Sequence, residues 1–368
     1  MKRRKLLGRL ALGGVGLAAV PSAYLYHQAE RYVPVRSQFT RNPDLKDLLP
    51  AGQWPGTPLD QKGLFMNEQY PFWPTFASLV KWQTEKNPYR DQKKSDSERL
   101  RVVQQPSLAA LGNNALLWLG HASFLVRLGG VTLLIDPVLD SPSVFMERFS
   151  VLPLAPAQLT GIDYILVSHD HRDHCDKESI TRLARQNPGA TWLCGLHLDG
   201  LLRDWTGSEK IQAAGWYQQY RTDGTGVNVY YLPSRHWSRR GLADTNRTLW
   251  GAFVMEGGGK RVYFGGDSGY GAHVGKVREL FGTVDYYLAG IGAFAPRWFM
   301  GPSHMHPEEA VRAGNDLQPK NLLPMHYGTF DLSDEPLLEP ARIIRQLHAQ
   351  GALASRLVLP AVGEVISL

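Results

Sequence analysis

Tyr164-Ile-Leu-Val-Ser-His-Asp-His-Arg-Asp-His174 is the stretch on which the reading of this chain turns. An apolar run, Tyr164 to Val167, hands over to residues 169–174, which hold three imidazoles and two carboxylates in six positions. A hydrophobic core has no use for so many titratable groups side by side, whereas metal ions do. His169 and His171 are two residues apart, so an extended backbone points both rings the same way. Asp173 and His174 lie on the turn that follows and can face the same space from another side. Loops just beyond a strand's carboxyl end are where a rigid sheet carries chemistry. The alternative is a surface loop rich in titratable groups.

Two ions need more donors than this cluster offers, and the same local design recurs. His236 follows the apolar run Tyr230-Tyr-Leu-Pro233, and His326 follows Leu322-Leu-Pro-Met325. Asp267 follows Val262-Tyr-Phe-Gly-Gly266, whose glycines allow close backbone approach to a ligand. One such histidine alone would be read as structural; three strand ends together with the cluster read as ligands. The nitrogen and oxygen donor set suits zinc, with iron and manganese still open.

Around these residues the pattern is that of a layered α/β fold. Short strands are expected at Ala115–Leu119, Phe124–Arg127, Val131–Ile135, Ile162–Val167 and Thr191–Cys194. Further strands are expected at Val227–Leu232, Leu249–Met255, Arg261–Phe264, Tyr286–Ala289 and Leu322–Met325. Helices are expected at Lys177–Arg185, Val274–Leu280, Pro307–Asn315 and Pro340–Gln350. Hairpins followed by strand–helix alternation place helices outside sheets. No internal sequence repeat is visible. Cys175 and Cys194 make no disulfide framework.

The chain has 368 residues, 43% of them apolar, enough for one large core, and a net charge of +6. That charge is mostly local: Lys2, Arg3, Arg4, Lys5 and Arg9 supply nearly all of the surplus. The body is close to neutral and lacks a basic stripe interleaved with aromatics, which argues against nucleic acid as a partner. Residues 1–28 read as a signal sequence or amino-terminal membrane anchor, with the uncharged run Leu10–Tyr26 behind the basic cluster. Arg3-Arg4 also fits a twin-arginine export signal; a tail or a buried helix is the plain alternative. The expected location is the cell membrane or periplasm. Residues 29–110 read as an extension packing on a catalytic domain at 111–368. Its aromatic stretch, from Phe65 through Phe72, Trp73 and Phe76 to Trp82, suits burial against the core. Lining an acyl groove or meeting a bilayer is the second reading.

The blocks around the donors resemble a known family. His-x-His-x-Asp-His after a strand is the hallmark of the metallo-β-lactamase fold superfamily. Within it, Trp118-Leu-Gly-His-Ala-Ser123, Ile135-Asp-Pro137, Arg235-His-Trp-Ser238, Asp244-Thr-Asn246 and Leu249-Trp-Gly251 resemble the N-acyl-phosphatidylethanolamine-hydrolysing phospholipase D family. So do Gly266-Asp-Ser-Gly-Tyr270, Ile291-Gly-Ala-Phe-Ala-Pro-Arg-Trp-Phe-Met300, His306-Pro-Glu-Glu-Ala-Val311 and Met325-His-Tyr-Gly-Thr-Phe330. The likeness covers roughly residues 60–345.

That resemblance implies an αββα sandwich, two facing β-sheets with helices on the outer faces, holding two Zn2+ per subunit. It implies that His169, His171 and His236 bind one ion, that Asp173, His174 and His326 bind the other, and that Asp267 bridges. The metals would lower the pKa of bound water and neutralise charge on a phosphodiester. Asp173, Asp267 and His304 are the expected catalytic residues; His306, two positions on, competes with His304 for its role. His121 and Asp136 either orient ligands or satisfy loop backbone. The implied reaction cleaves N-acyl-phosphatidylethanolamine to phosphatidic acid and an N-acylethanolamine. Alternatives are a hydrolase of the same fold acting on another phosphodiester, a lactone or a β-lactam, and a non-catalytic envelope factor. A phospholipid substrate and a membrane surface are the expected partners, and a homodimer stays open.

Overall fold

The computed structural model describes residues 33–105, 107–241 and 243–368. The expected signal or anchor at 1–28 lies outside them. Two large mixed sheets face each other, with helices on their outer sides. The first runs in the order Val365–Ser367, Ala115–Gly120, Ser123–Leu128, Val131–Ile135, Tyr164–Val167, Thr191–Gly195, Ile211–Ala214. The second runs Arg356–Leu357, Asn321–Met325, Tyr286–Gly290, Lys260–Phe264, Ala252–Gly257, Val227–Leu232, Gln218–Gln219, Lys46–Asp47. The expected αββα sandwich is what forms.

Alternation along the strands explains the layering. In Ala115–Gly120 and its neighbour, Leu116, Trp118, Phe124 and Val126 point between the sheets. Leu117, Leu119 and Leu125 point the other way, under the outer helices, where Ile180 and Leu183 of the helix Lys177–Gln186 cover them. Asp176 caps that helix, its carboxylate accepting from Ser179 N at 2.8 Å. Both faces being covered, the strand reads as a continuous apolar run.

The expected strand at Leu249–Met255 starts only at Ala252. Leu249 N donates to Leu196 O and Gly251 N to Ser168 O, so this segment ties one sheet to the other before entering its own ladder. A Cβ on Gly251 would stand 2.6 Å from Leu232 O, so glycine is what permits the crossing.

Residues 33–110 interlock with both layers. Arg36–Thr40 and Thr57–Asp60 form a small antiparallel pair, and Lys46–Asp47 adds a strand at the second sheet's edge. Leu45, Leu59 and Phe65 enter the core between the sheets. The helix Phe76–Thr84, capped by the Thr75 side chain, meets the short helix Arg297–Met300. There Trp82 stacks on Phe299 at 5.0 Å and donates its indole N–H to Asp334. Lys93 bonds Asp331 and the Ser333 carbonyl. Among the described residues no helix is long and apolar enough to cross a membrane. Cys175 and Cys194 are buried and unpaired.

Candidate metal centre

Every expected donor stands just past a strand end, over the open ends of the two sheets. The structure gathers them into two neighbouring groups whose donor atoms lie within 4.8 Å of one another. One group is His169, His171, His236 and Asp267; the other is His121, Asp173, His174 and His326. In the first, His171 Nδ1 is 3.0 Å from His169 Nε2 and 3.1 Å from His236 Nε2, so three imidazole nitrogens converge. Asp267 stands between the groups. Its Oδ1 is 3.1 Å from His326 Nε2, and its Oδ2 is 3.2 Å from His174 Nε2 and 3.7 Å from His236 Nε2. A carboxylate so placed can offer one oxygen to each side.

The surrounding groups orient these donors. Asp136 takes up Ser168 N and Ser168 Oγ and lies 2.7 Å from His174 Nδ1, leaving Nε2 to face the centre. That is the arrangement by which a carboxylate behind an imidazole sets its tautomer and raises its basicity. His236 Nδ1 donates to Ser303 O at 3.1 Å, which again frees Nε2. Asp170, the remaining carboxylate of the hexapeptide, turns away to Thr248 Oγ1 and Arg239 N. It pins the loop that carries His236 and takes no part in either group.

Of the two roles expected of His121, its ring takes the first, contact with a donor, while its own main chain is held by side chains. Its N–H donates to Thr329 Oγ1 and its carbonyl accepts from Trp118 Nε1, while Nε2 lies 3.0 Å from Asp173 Oδ2. It stands among the donors rather than behind them. Composition and spacing gave it no mark; the glycine before it and the Trp118-to-Ser123 block were the available signals. His304 Nδ1 lies 3.9 Å from Asp267 Oδ2, and its ring is 5.1 Å from that of His236. His306 instead caps the helix Pro307–Leu317, accepting from Glu308 N while Glu309 bonds its own N–H. Of the two, His304 is the one at the centre.

Backbone strain is present here. Asp136, His121 and His326 all adopt left-handed φ, at 41°, 51° and 67°, which side chains with a Cβ rarely take. Such conformations persist where the surroundings over-determine them. His326 N donates to His121 O, and a Cβ on Gly292 would stand 1.9 Å from His326 O, so the backbone is gripped from both sides.

Electrostatics and orphaned atoms both call for cations. Burial would raise Asp173 and Asp267, but the neighbouring imidazoles overcome it and hold both carboxyls well below the usual range. Burial would lower His326, yet Asp267 and Asp173 pull it up to about 9, and His174 rises likewise against its burial. The two carboxylates therefore draw positive charge to the space between the groups. His174 Nε2, Asp267 Oδ1 and His326 Nε2 are buried with no hydrogen-bond partner. Buried polar atoms left so are costly, and metal ions of the hard or borderline class satisfy this donor set. The residues fit a pair of ions.

The family model of the beta-lactamase superfamily domain matches residues 132–327. The chain is 32% identical over 243 residues to an N-acyl-phosphatidylethanolamine-hydrolyzing phospholipase D of Caenorhabditis elegans, covering 62% of this chain and 68% of that one. It is 36% identical over 235 residues to an uncharacterised Mycobacterium tuberculosis protein, covering 61% of this chain and 62% of that protein. The fold is similar to that of an isothiocyanate hydrolase from Delia radicum gut bacteria, with a TM-score of 0.56 at 18% identity, covering 69% of this chain and 98% of that one. The chain belongs to the beta-lactamase superfamily and carries a binuclear metal-binding hydrolase site of that fold.

Proposed function

We propose that this chain is a two-zinc phosphodiesterase of phospholipase D type, cleaving N-acyl-phosphatidylethanolamine-like lipids to phosphatidic acid and an N-acylethanolamine. The observation that carries this reading is its 32% identity to the nematode phospholipase over 243 residues. His169, His171 and His236 would hold one ion and Asp173, His174 and His326 the other, with Asp267 within reach of both. When bound, the zinc pair lowers the pKa of water to give a nucleophile at neutral pH and neutralises phosphoryl charge.

The chain's own residues do the rest. Asp267, its Oδ1 toward His326 and its Oδ2 toward both His174 and His236, stands where it ties the two sides together. Asp173, whose Oδ2 is 3.0 Å from His121 Nε2, turns that same oxygen toward His326 and His174 and so keeps its charge at the centre. His304 stands at the margin, its side chain 15% exposed, where a phosphate or departing alkoxide can be met. Trp237 lies edge-on to His171 at 4.6 Å, with Phe72 of the extension against it at 6.4 Å. These rings give the apolar part of a lipid a surface beside the charged centre. Membrane association and a membrane or periplasmic location complete the reading.

Zinc-loaded protein begun after residue 28 tests the proposal on vesicles carrying N-acylated or unmodified phosphatidylethanolamine. Mass analysis should find phosphatidic acid and N-acylethanolamine from the first. Release of a fatty acid, or no turnover of either lipid, would refute it.

A further inference from the structure

The histidine that completes the first donor group, His236, is oriented by a carbonyl, and that carbonyl belongs to a turn with its own support. Ser303 O receives His236 Nδ1 at 3.1 Å. The turn around it is closed by Ser303 N and His304 N, both donating to Met300 O. It is wedged against the loop bearing Asp267, since a Cβ on Gly269 would stand 2.7 Å from Pro302 O. Its far end is held by one guanidinium. Arg297 donates from Nη1 to His304 O at 2.9 Å and Phe294 O at 3.3 Å, and from Nη2 to Glu309 Oε2 at 2.6 Å. Glu309 Oε2 also accepts from His306 N at 2.9 Å.

A planar fork of this kind fixes direction as well as distance, which an ammonium cannot do. We propose that Arg297, braced by Glu309, is a positioning residue for the metal centre: it sets the turn 300–306, and through it the tautomer of His236 and the stance of His304. Arg297 touches no donor atom. Its effect falls on the ion held with His236, because the other group is supported separately, by Asp136 behind His174 and by Thr329 at His121. Loss of such outer support weakens metal binding roughly 10–100-fold.

The inference rests on the two-ion reading and is independent of the lipid. Stepwise removal of zinc from loaded full-length protein with a competing chelator reads both affinities. In Arg297→Ala, one ion should bind roughly 10–100-fold more weakly while the other stays close to wild type. Arg297→Lys, keeping the charge without the fork, should recover only part of the loss. Glu309→Gln, which retains an acceptor for Arg297 and for His306 N, should weaken the same ion less than Arg297→Ala. Two wild-type affinities in Arg297→Ala, or equal losses in both ions, would overturn the proposal. Should Arg297→Ala fail to fold, Arg297→Lys and Glu309→Gln decide it by the same one-ion criterion. A wild-type protein that binds no zinc pair sinks the two-ion reading as well, which tells the two failures apart.

Discussion

The strands from Ala115 to Ala214 and those from Val227 to Leu357 follow the same plan. In each, three antiparallel strands are followed by three joined in parallel to the third. In each, a histidine follows the first strand, His121 or His236, and a carboxylate follows the third, Asp136 or Asp267. Yet Asp136 sits behind a donor and Asp267 stands among them. The difference lies in two glycines. Asp136 follows Ile135 directly and stays under the site. Gly265 and Gly266 carry Asp267 further out, and Gly266 passes where a Cβ would stand 2.6 Å from Gly251 O. One position in the plan serves as support and the other as contact, decided by how far the backbone reaches.

The two carboxylates should therefore fail differently. Asp267→Asn removes charge that faces both groups, so both ions should weaken and turnover should fall roughly a thousandfold, several kcal/mol of transition-state stabilisation. Metal analysis alongside phosphodiester hydrolysis reads this; retention of two ions with near-normal turnover would dissolve the contrast. His326→Ala should cost one ion and lower turnover roughly a hundredfold, the loss of one electrostatic stabiliser. Asp136→Asn leaves every donor in place, so one ion should bind roughly 10–100-fold more weakly while the other holds. An equal loss of both ions would place Asp136 on the same footing as Asp267.

Smaller effects probe where the two plans are stitched together. Thr329→Val keeps the shape but leaves the buried His121 N–H without its acceptor, at a cost of about 1–3 kcal/mol in denaturant unfolding. No change would mean that the left-handed backbone at His121 needs no such hold. Glu335 is the mildest case. It accepts Phe294 N and Ala295 N, and burial raises its carboxyl above the usual range. The folded state thus keeps this proton to higher pH than the unfolded one, and ionising it costs stability as pH rises through that window. Relative to wild type, Glu335→Gln should show its largest deficit in acid, and the deficit should shrink as pH rises from 4.5, the ordinary value for this group. Thermal melts across that range check the sign; a growing deficit with rising pH would reverse it.

Much of this was legible in the chain. Runs such as Val131–Ile135 and Asn321–Met325 announce themselves by apolar content, and each ends beside a chemically active residue. The hexapeptide, His236, Asp267 and His326 were marked by that same placement. Less visible were strands without an apolar run to mark them. Gln218–Gln219 and Lys46–Asp47 carry polar side chains, and Ile211–Ala214 has only partial burial. Backbone pairing and polar side-chain bonds such as that of Gln218 to Asp47 leave little trace in hydrophobic pattern. The helix Asp199–Thr206 buries Leu202 but little else, too thin a stripe to stand out. His121 depends on a single left-handed residue after Gly120. The shared plan of the two halves is hidden too, because it lives in the order of pairing rather than in similar residues.

The pairing of Lys46–Asp47 with Gln218–Gln219 carries a consequence for handling the molecule. Those two residues, with Asn42 bonding Gln218 and Ala213 O, close the edge of the larger sheet. A chain cut back to 111–368 would keep all the donors and expose an unpaired ladder, together with apolar surface that Leu45, Leu59 and Phe65 now cover. Open ladders recruit further strands. Such a shortened protein should suffer first in its solubility, joining copies edge to edge while its chemistry was still intact.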